Sequence, residues 1–218
     1  MEAKKIIVTG GANRIGRSIA LELASYDTQI VIHYSKSYFA AKKLKKELEN
    51  LGSIVYLFKA DFNNFQQTQK LIAYAHKKMN GLDCLINNAS VFENDNLINF
   101  SEKSFLKHVN INLKAPALLI RNFAKIYKGK NGSIVNIIDQ RVEKLTPFFF
   151  SYTLSKSGLA TLTKTSAMKL APKIRVNAVS PGPTLKNKRQ SKKHFKKQWK
   201  STILEKKVDT KNVSSAVK

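Results

Sequence analysis

Residues 4–24 read Lys-Lys-Ile-Ile-Val-Thr-Gly-Gly-Ala-Asn-Arg-Ile-Gly-Arg-Ser-Ile-Ala-Leu-Glu-Leu-Ala, and their order decides the fold. A β-branched run over residues 4–9 meets a turn, Gly10-Gly11-Ala12-Asn13-Arg14-Ile15-Gly16. Beyond it, Ile15, Ile19, Ala20, Leu23 and Ala24 recur at helical spacing on one face. Strand, glycine turn and helix in that order aim unpaired backbone N–H groups and the positive end of a helix at a phosphate.

The alternation continues outward. Residues 29–34 are the second expected strand, 38–51 a lysine-rich amphipathic helix stopped at Gly52, and 53–60 a third strand ending in Asp61-Phe62. A helix over 65–79 is closed by Asn80-Gly81, and a strand over 84–87 runs into Asn88-Ala89-Ser90. Residues 101–127 read as helical with a break near Pro116. Strand, helix and strand follow at 133–138, 151–170 and 174–179. Such alternation implies parallel strands joined by right-handed crossovers. The expected fold is α/β, a single doubly wound parallel sheet of Rossmann type. Ligands lie beyond the carboxyl ends of its strands. Those ends carry Gly10, His33, Asp61, Asn88, Asp139 and Ser180, which should line one crevice.

Composition narrows the class. A chain of 218 residues, 43% hydrophobic, suffices for one domain with a proper core. No stretch is long and apolar enough to span a membrane, and the first residues lack the apolar run of a signal peptide. Cys84 is the only cysteine, which excludes an internal disulfide and a cysteine-based metal cluster; a cytoplasmic location is the expectation. His76, His108 and His194 have no companions for a metal site, so no metal is expected. The formal charge is +25, yet the arginines are only Arg14, Arg17, Arg121, Arg141, Arg175 and Arg189. Lysine spread over the whole chain reads as a compositional bias rather than a nucleic-acid face. The exception is 186–200, where lysines crowd around His194, Phe195 and Trp199; an anionic substrate or a solvated helix face suits it better than a polyanion.

Chemistry concentrates in residues 139–156. Tyr152 and Lys156 stand one helical turn apart on the same face, after a strand ending at Asp139. An ammonium beside a phenol favours the phenolate, so Lys156 is expected to lower the Tyr152 pKa and make it a proton donor.

Taken together, Thr9-Gly10 to Gly16, Asp61, Asn87-Asn88-Ala89, Asn112, Tyr152-x-x-x-Lys156 and Pro181-Gly182 resemble the short-chain dehydrogenase/reductase family over essentially the whole chain. Four departures resemble its pteridine reductase branch. Arg14 replaces the middle glycine of the first loop, and Asp139 replaces the serine that polarises a carbonyl. Asn-Asn-Ala-Ser precedes Val91-Phe92, and the second strand ends His33-Tyr34-Ser35-Lys36-Ser37 without an acid for the ribose hydroxyls. The resemblance implies NADPH as cofactor and a pterin as the small-molecule substrate. It implies cofactor contacts at Gly10, Arg14, Ile15, Gly16, His33, Tyr34, Lys36, Ser37, Asp61, Phe62, Asn88, Ala89, Ser90, Tyr152, Lys156, Pro181 and Gly182. Arg14, Ser90, Phe92, Asp139 and Tyr152 would touch substrate. Catalysis falls to Tyr152, Lys156, Asp139 and Asn112, with Asn112 holding a water that links Lys156 to solvent.

Physical chemistry supports parts of this. A 2′-phosphate needs positive charge where an NAD enzyme places a carboxylate; Lys36 with Ser37, and His33 nearby, supply charge and hydrogen bonding. Arg14 is a planar fork of donors suited to phosphate or a heterocycle edge. An ionised Asp139 cannot donate to a ketone oxygen, whereas a serine can, so a C=N bond suits it better than a carbonyl. Narrower readings stand beside these: Arg14 as a pyrophosphate clamp alone, Phe92 as loop packing, Lys36 and Ser37 as solvated helix-start residues, Asp61 as a helix cap. A carbonyl reductase, such as one for 3-oxoacyl thioesters, and an inactive NADPH-binding remnant remain alternative functions.

The chain divides into residues 1–185, carrying the dinucleotide fold and the catalytic site, and residues 186–218, a basic substrate loop and helix. The resemblance implies a seventh strand and a homo-oligomer, commonly a tetramer. Here Asp209 caps a helix through Val213, Ala216 and Val217 and the sequence ends at Lys218, so the usual last strand is expected to be lacking, by truncation or by loss. An unpaired edge at the sixth strand would follow.

Overall fold

A computed structural model describes residues 4–186 and 190–218; Lys188 and Arg189 of the basic run lie outside the described residues. Strands β1 (Lys4–Val8), β2 (Thr28–Tyr34), β3 (Ile54–Lys59), β4 (Cys84–Asn87), β5 (Gly132–Ile137) and β6 (Ile174–Val179) form one sheet in the order β3-β2-β1-β4-β5-β6, every pair parallel. Successive side chains leave a strand on opposite faces, and β1 shows what that does. Ile7 enters one core with Val31, Leu71, Leu85, Phe123 and Ile134, while Ile6 and Val8 enter another with Ile19, Ile32, Leu44 and Ile86. A central parallel strand covered on both faces therefore reads as an unbroken apolar run.

Helices α1 (Arg14–Leu23) and α2 (Tyr38–Asn50) cover one face, and α3 (Phe65–Met79), α5 (Ala115–Ile126) and α6 (Phe150–Leu170) the other. The reversal of direction lies between β1 and β4, where a doubly wound sheet opens its crevice. Between α4 (Glu102–Val109) and α5 the helix changes pitch. The sequence placed the irregularity near Pro116; the structure puts it earlier, in a π-helical turn at Asn110–Lys114. Pro116 sits in the first turn of α5, which continues directly from that π-helical turn.

After β6 come α7 (Lys192–Lys200) and α8 (Thr210–Val217). Asp209 caps α8 by accepting from the Lys211 N–H at 2.9 Å. Val213 and Val217 are buried, Val217 joining the core under α1, and Ser214 meets Ser18 at 3.3 Å. Among the described residues no strand pairs with the outer edge of β6, and no helix is long and apolar enough to cross a membrane.

Candidate active site

The glycine turn is built to let backbone come close. Gly10 sits at φ +59°, and a Cβ there would lie 2.9 Å from the Ala89 Cα. At Gly16 a Cβ would fall on the Gly10 carbonyl and the Asn88 amide. Asn88 locks this turn, its Nδ2 donating to the Thr9 and Gly10 carbonyls at 2.9 and 3.1 Å. The Thr9 hydroxyl, which the sequence reading left without a role, donates to the Ile86 carbonyl and accepts from the Asn88 and Ala89 N–H groups. Asn13 precedes α1 with no side-chain cap, and the first turn holds no acid. The helix start thus keeps its N–H donors and positive end for an anion. Ile15 is half-buried and packs beside the core.

Arg14 stands exposed at φ +53°, a left-handed conformation unusual for arginine. Its guanidinium donates to the Leu185 and Lys186 carbonyls at 3.1 and 3.2 Å, so it ties the turn to the loop after β6. In that loop Pro181 accepts from the Gln140 N–H at 3.4 Å, and Gly182 packs against Val208 and Gln140.

At the β2 end the expectation for His33 needs correcting. Its ring is buried against Phe62, stacked at 3.9 Å, with Nδ1 accepting from the Gly10 N–H and Nε2 facing the Ala60 carbonyl, both at 3.1 Å. Burial lowers its pKa to about 4, so His33 is a neutral pin for the glycine turn and brings no charge to a phosphate. Phe62 spends its ring on the same stack, and Tyr34 is likewise buried. Lys36 is exposed, and Ser37 precedes α2 without spending its hydroxyl on a cap. Asp61 is exposed and accepts from the Asn63 N–H at 2.9 Å; the cap of α3 is Asn64, not Asp61.

Tyr152, Lys156 and Asp139 come together as the sequence placed them, with different electrostatics. The Tyr152 hydroxyl donates to Asp139 Oδ2 at 2.8 Å, while Asp139 Oδ1 caps a short turn at the Arg141 N–H, 2.9 Å away. Burial, then the charge and hydrogen bond of Asp139, push the Tyr152 pKa well above its usual value. The expectation that Lys156 lowers it is overturned: burial comes first and Asp139 adds to it, both stabilising the protonated phenol. Lys156 is buried with Nζ donating to the Ile137 carbonyl at 2.6 Å. Burial lowers its pKa to about 8, against a smaller opposing pull from Asp139.

Asn112 is fully buried in the π-helical turn, its Oδ1 accepting from the Val91 N–H and the Ser90 hydroxyl and its Nδ2 donating to the Val91 carbonyl and Ser155. Its side-chain amide fixes the loop that carries Phe92. Two residues the sequence reading passed over complete that hold. His108, fully buried, accepts from the Glu93 N–H at 3.2 Å. Asp95, 5% exposed, crosses to the start of α6: its Oδ1 accepts from the Ser151 N–H at 3.1 Å and its carbonyl from the Phe149 N–H at 2.7 Å. A carboxylate there also complements the positive helix end. No local pattern in the sequence reveals a pairing across 56 positions.

So held, Phe92 stacks on Phe149 at 4.3 Å and meets Tyr152 edge-on at 4.6 Å, with the Arg141 guanidinium 4.5 Å over Phe149. Phe92 keeps 37% of its surface exposed. The whole is a proton donor beside a carboxylate, an aromatic platform and an anion-binding turn.

Known proteins resemble the chain in sequence and in fold. The profile of the short chain dehydrogenase family matches residues 4–197. An uncharacterized oxidoreductase of Methylorubrum extorquens is 31% identical over 183 residues, 84% of this chain and 73% of that protein. The 3-oxoacyl-[acyl-carrier-protein] reductase FabG of Staphylococcus epidermidis is 29% identical over 82% of this chain and 74% of its own length. The crystal structure of FolM alternative dihydrofolate reductase 1 from Brucella suis, in complex with NADP, superposes with a TM-score of 0.93 at 36% identity, covering 98% of this chain and 86% of that one. The chain belongs to the short-chain dehydrogenase family of oxidoreductases.

Proposed function

We propose that the protein is an NADPH-dependent reductase of a C=N bond in a dihydropterin. The observation that carries this reading is the Tyr152–Asp139 hydrogen bond at 2.8 Å, a carboxylate where a carbonyl reductase needs a donor. The residues fit the cofactor: Gly10 and Gly16 leave the cradle a Cβ would fill, and the start of α1 offers uncapped N–H groups. Lys36 and Ser37 suit a 2′-phosphate, and Asp61 keeps an exposed carboxylate for the adenine end. NADPH, when bound, supplies the hydride.

Tyr152 holds the matching proton, because its raised pKa keeps the phenol protonated at neutral pH. As hydride reaches carbon and the C=N π bond opens, the phenol proton goes to the ring nitrogen. Lys156, still largely an ammonium below about pH 8, is placed to hold the ribose and to compensate the transient phenolate. Asp139 accepts from substrate N–H groups, and Phe92 offers its open face to the ring. The FolM protein, named an alternative dihydrofolate reductase, supports this reading at 36% identity.

The FabG relative favours a second reading, reduction of a 3-oxoacyl thioester at the same tyrosine. Cofactor absorbance followed with dihydrobiopterin and with an acetoacetyl thioester separates the two. We expect oxidation of NADPH with the pterin; oxidation with the thioester alone overturns the proposal, and oxidation with neither, despite NADPH binding, makes the chain a binding module. A homo-oligomer belongs to the same proposal: an apolar groove between α5 and α6, lined by Ala117, Ile120, Ala124 and Leu162, is a seat for a second copy, and light scattering at catalytic concentration tests it.

A further inference from the structure

We propose that Arg141 is a positioning residue for proton transfer: its guanidinium supplies the positive charge the site needs once Tyr152 gives up its proton beside Asp139. This deepens the reductase reading above and rests on Tyr152 being its proton donor.

Arg141 lies in the short turn Gln140–Val142, directly after Asp139. Its backbone N–H donates to Asp139 Oδ1 at 2.9 Å, and the Tyr152 hydroxyl donates to Oδ2 at 2.8 Å. One carboxylate therefore holds the arginine turn with one oxygen and the phenol with the other. The half-buried guanidinium is fixed by neutral groups instead. No ion pair between described residues engages it. Nη1 donates to the Thr146 hydroxyl at 3.0 Å, which donates in turn to the Phe148 carbonyl at 3.1 Å. Cζ lies 4.5 Å from the centre of the Phe149 ring and 5.9 Å from that of Phe92. Phe149 reaches this place at φ +60°, a left-handed conformation rare for an aromatic residue. Ring faces attract a cation without cancelling its charge.

Few charged or titratable groups face Tyr152. Asp139 comes from the end of β5 and Arg141 from the turn after it. Lys156 comes from α6, with Nζ 5.8 Å from the phenol ring centre, and His108 from α4, at 6.3 Å between ring centres. His108 is neutral, because Nε2 accepts from the Glu93 N–H while Nδ1 faces the Ser104 carbonyl. Asp95 faces the Ser151 N–H instead. With the phenol intact, a single anion, Asp139, stands among the cations Arg141 and Lys156.

Proton transfer changes that balance. The Tyr152 O–H bond breaks and an N–H bond forms on the substrate, as the neighbouring carbon accepts the hydride that NADPH supplies on oxidation. A phenolate now stands beside Asp139, and a pair of anions faces a pair of cations until water returns the proton. Without Arg141 the same step leaves both anions to Lys156 alone, and like charges at hydrogen-bond distance disfavour ionisation. Burial and Asp139 raise the Tyr152 pKa, and the Arg141 charge opposes them. Lys156 is the less secure counter-charge, since burial brings its pKa down to about 8. A guanidinium stays charged throughout.

The test is steady-state kinetics with NADPH on dihydrobiopterin and on an acetoacetyl thioester, for the unmodified chain and for R141K, R141Q and R141M. On whichever acceptor is reduced, kcat should fall about tenfold in R141Q and R141M, the scale of one partly screened charge near a developing anion. R141K should recover most of that loss. The solvent deuterium isotope effect on kcat should grow in R141Q, as proton transfer becomes more rate-limiting, while KM for NADPH holds within about twofold. A merely structural brace for Phe149 predicts otherwise: lysine lacks the planar fork, so R141K would fail as badly as R141Q. Equal losses in R141K and R141Q, an unchanged isotope effect, or a rise in KM with kcat intact each overturn the proposal. Reduction of the thioester alone, with the expected order of variants, overturns the dihydropterin reading and leaves the role of Arg141 standing. Reduction of neither acceptor overturns both.

Discussion

The catalytic end of the crevice and helix α7 treat charge in opposite ways. Around Tyr152 the charged groups have partners within the fold: Asp139 accepts from the Tyr152 hydroxyl and the Arg141 N–H, Lys156 donates to the Ile137 carbonyl, and one oxygen of Asp95 accepts from the Ser151 N–H. On α7 five lysines are exposed, and no ion pair between described residues engages them. Groups that satisfy one another are held in one geometry, and desolvation then shifts their pKa values, as at Tyr152 and Lys156. Groups left to water are held by no such geometry. The first pattern suits proton transfer, which needs fixed distances.

The sharpest way to break the comparison is to remove the donor itself. Tyr152→Phe deletes the hydroxyl that Asp139 accepts, and turnover should fall by about 10²–10⁴, the usual contribution of a positioned acid. NADPH affinity by fluorescence titration should stay within about twofold. Retained turnover would show that the paired end is structural.

A smaller effect should appear in stability against pH. His33 is neutral when folded, with its pKa lowered to about 4 from 6.5. Between those values the unfolded chain binds more protons, so the stabilisation present above pH 6.5 is lost as pH falls toward 4. The loss approaches about 3 kcal/mol for a shift of this size. Chemical denaturation across that range should show this limb, and His33→Gln should flatten it; an unchanged limb would mean that other groups carry it.

Smaller again is Asp95→Ala, which removes the side-chain cap of α6 and should cost about 1–2 kcal/mol. Because the same residue ties the Phe92 loop to the catalytic helix, KM for the pterin should rise while KM for NADPH holds. A thermal melt and the two KM values decide; a shift confined to NADPH would contradict the role.

Much of this was legible in the order of residues. The period of apolar runs gave six parallel strands, because a buried parallel strand has no polar face to blur it. Gly10, Gly16 and Asn88 were legible because tight turns restrict residue type. Three things were not. The π-helical turn at Asn110–Lys114 leaves no compositional mark, and Pro116 drew attention away from it. His33 looked like a charge beside a phosphate until its burial against Phe62 made it neutral. The Tyr152 pKa was assigned from its neighbour in the helix, whereas burial, and then Asp139, raise it. The last two depend on contacts between separate segments, which spacing along a chain does not encode.

Asp139 carries the central claim, and Asp139→Ser tests it most directly. The substitution restores a donor that can polarise a carbonyl and removes the carboxylate that accepts from Tyr152 and from substrate N–H groups. With kcat/KM measured for dihydrobiopterin and for an acetoacetyl thioester, the predicted result is a fall of at least about tenfold on the pterin, the scale of one hydrogen bond to a charged group, with no fall on the thioester. Unchanged pterin turnover in that variant would contradict the account.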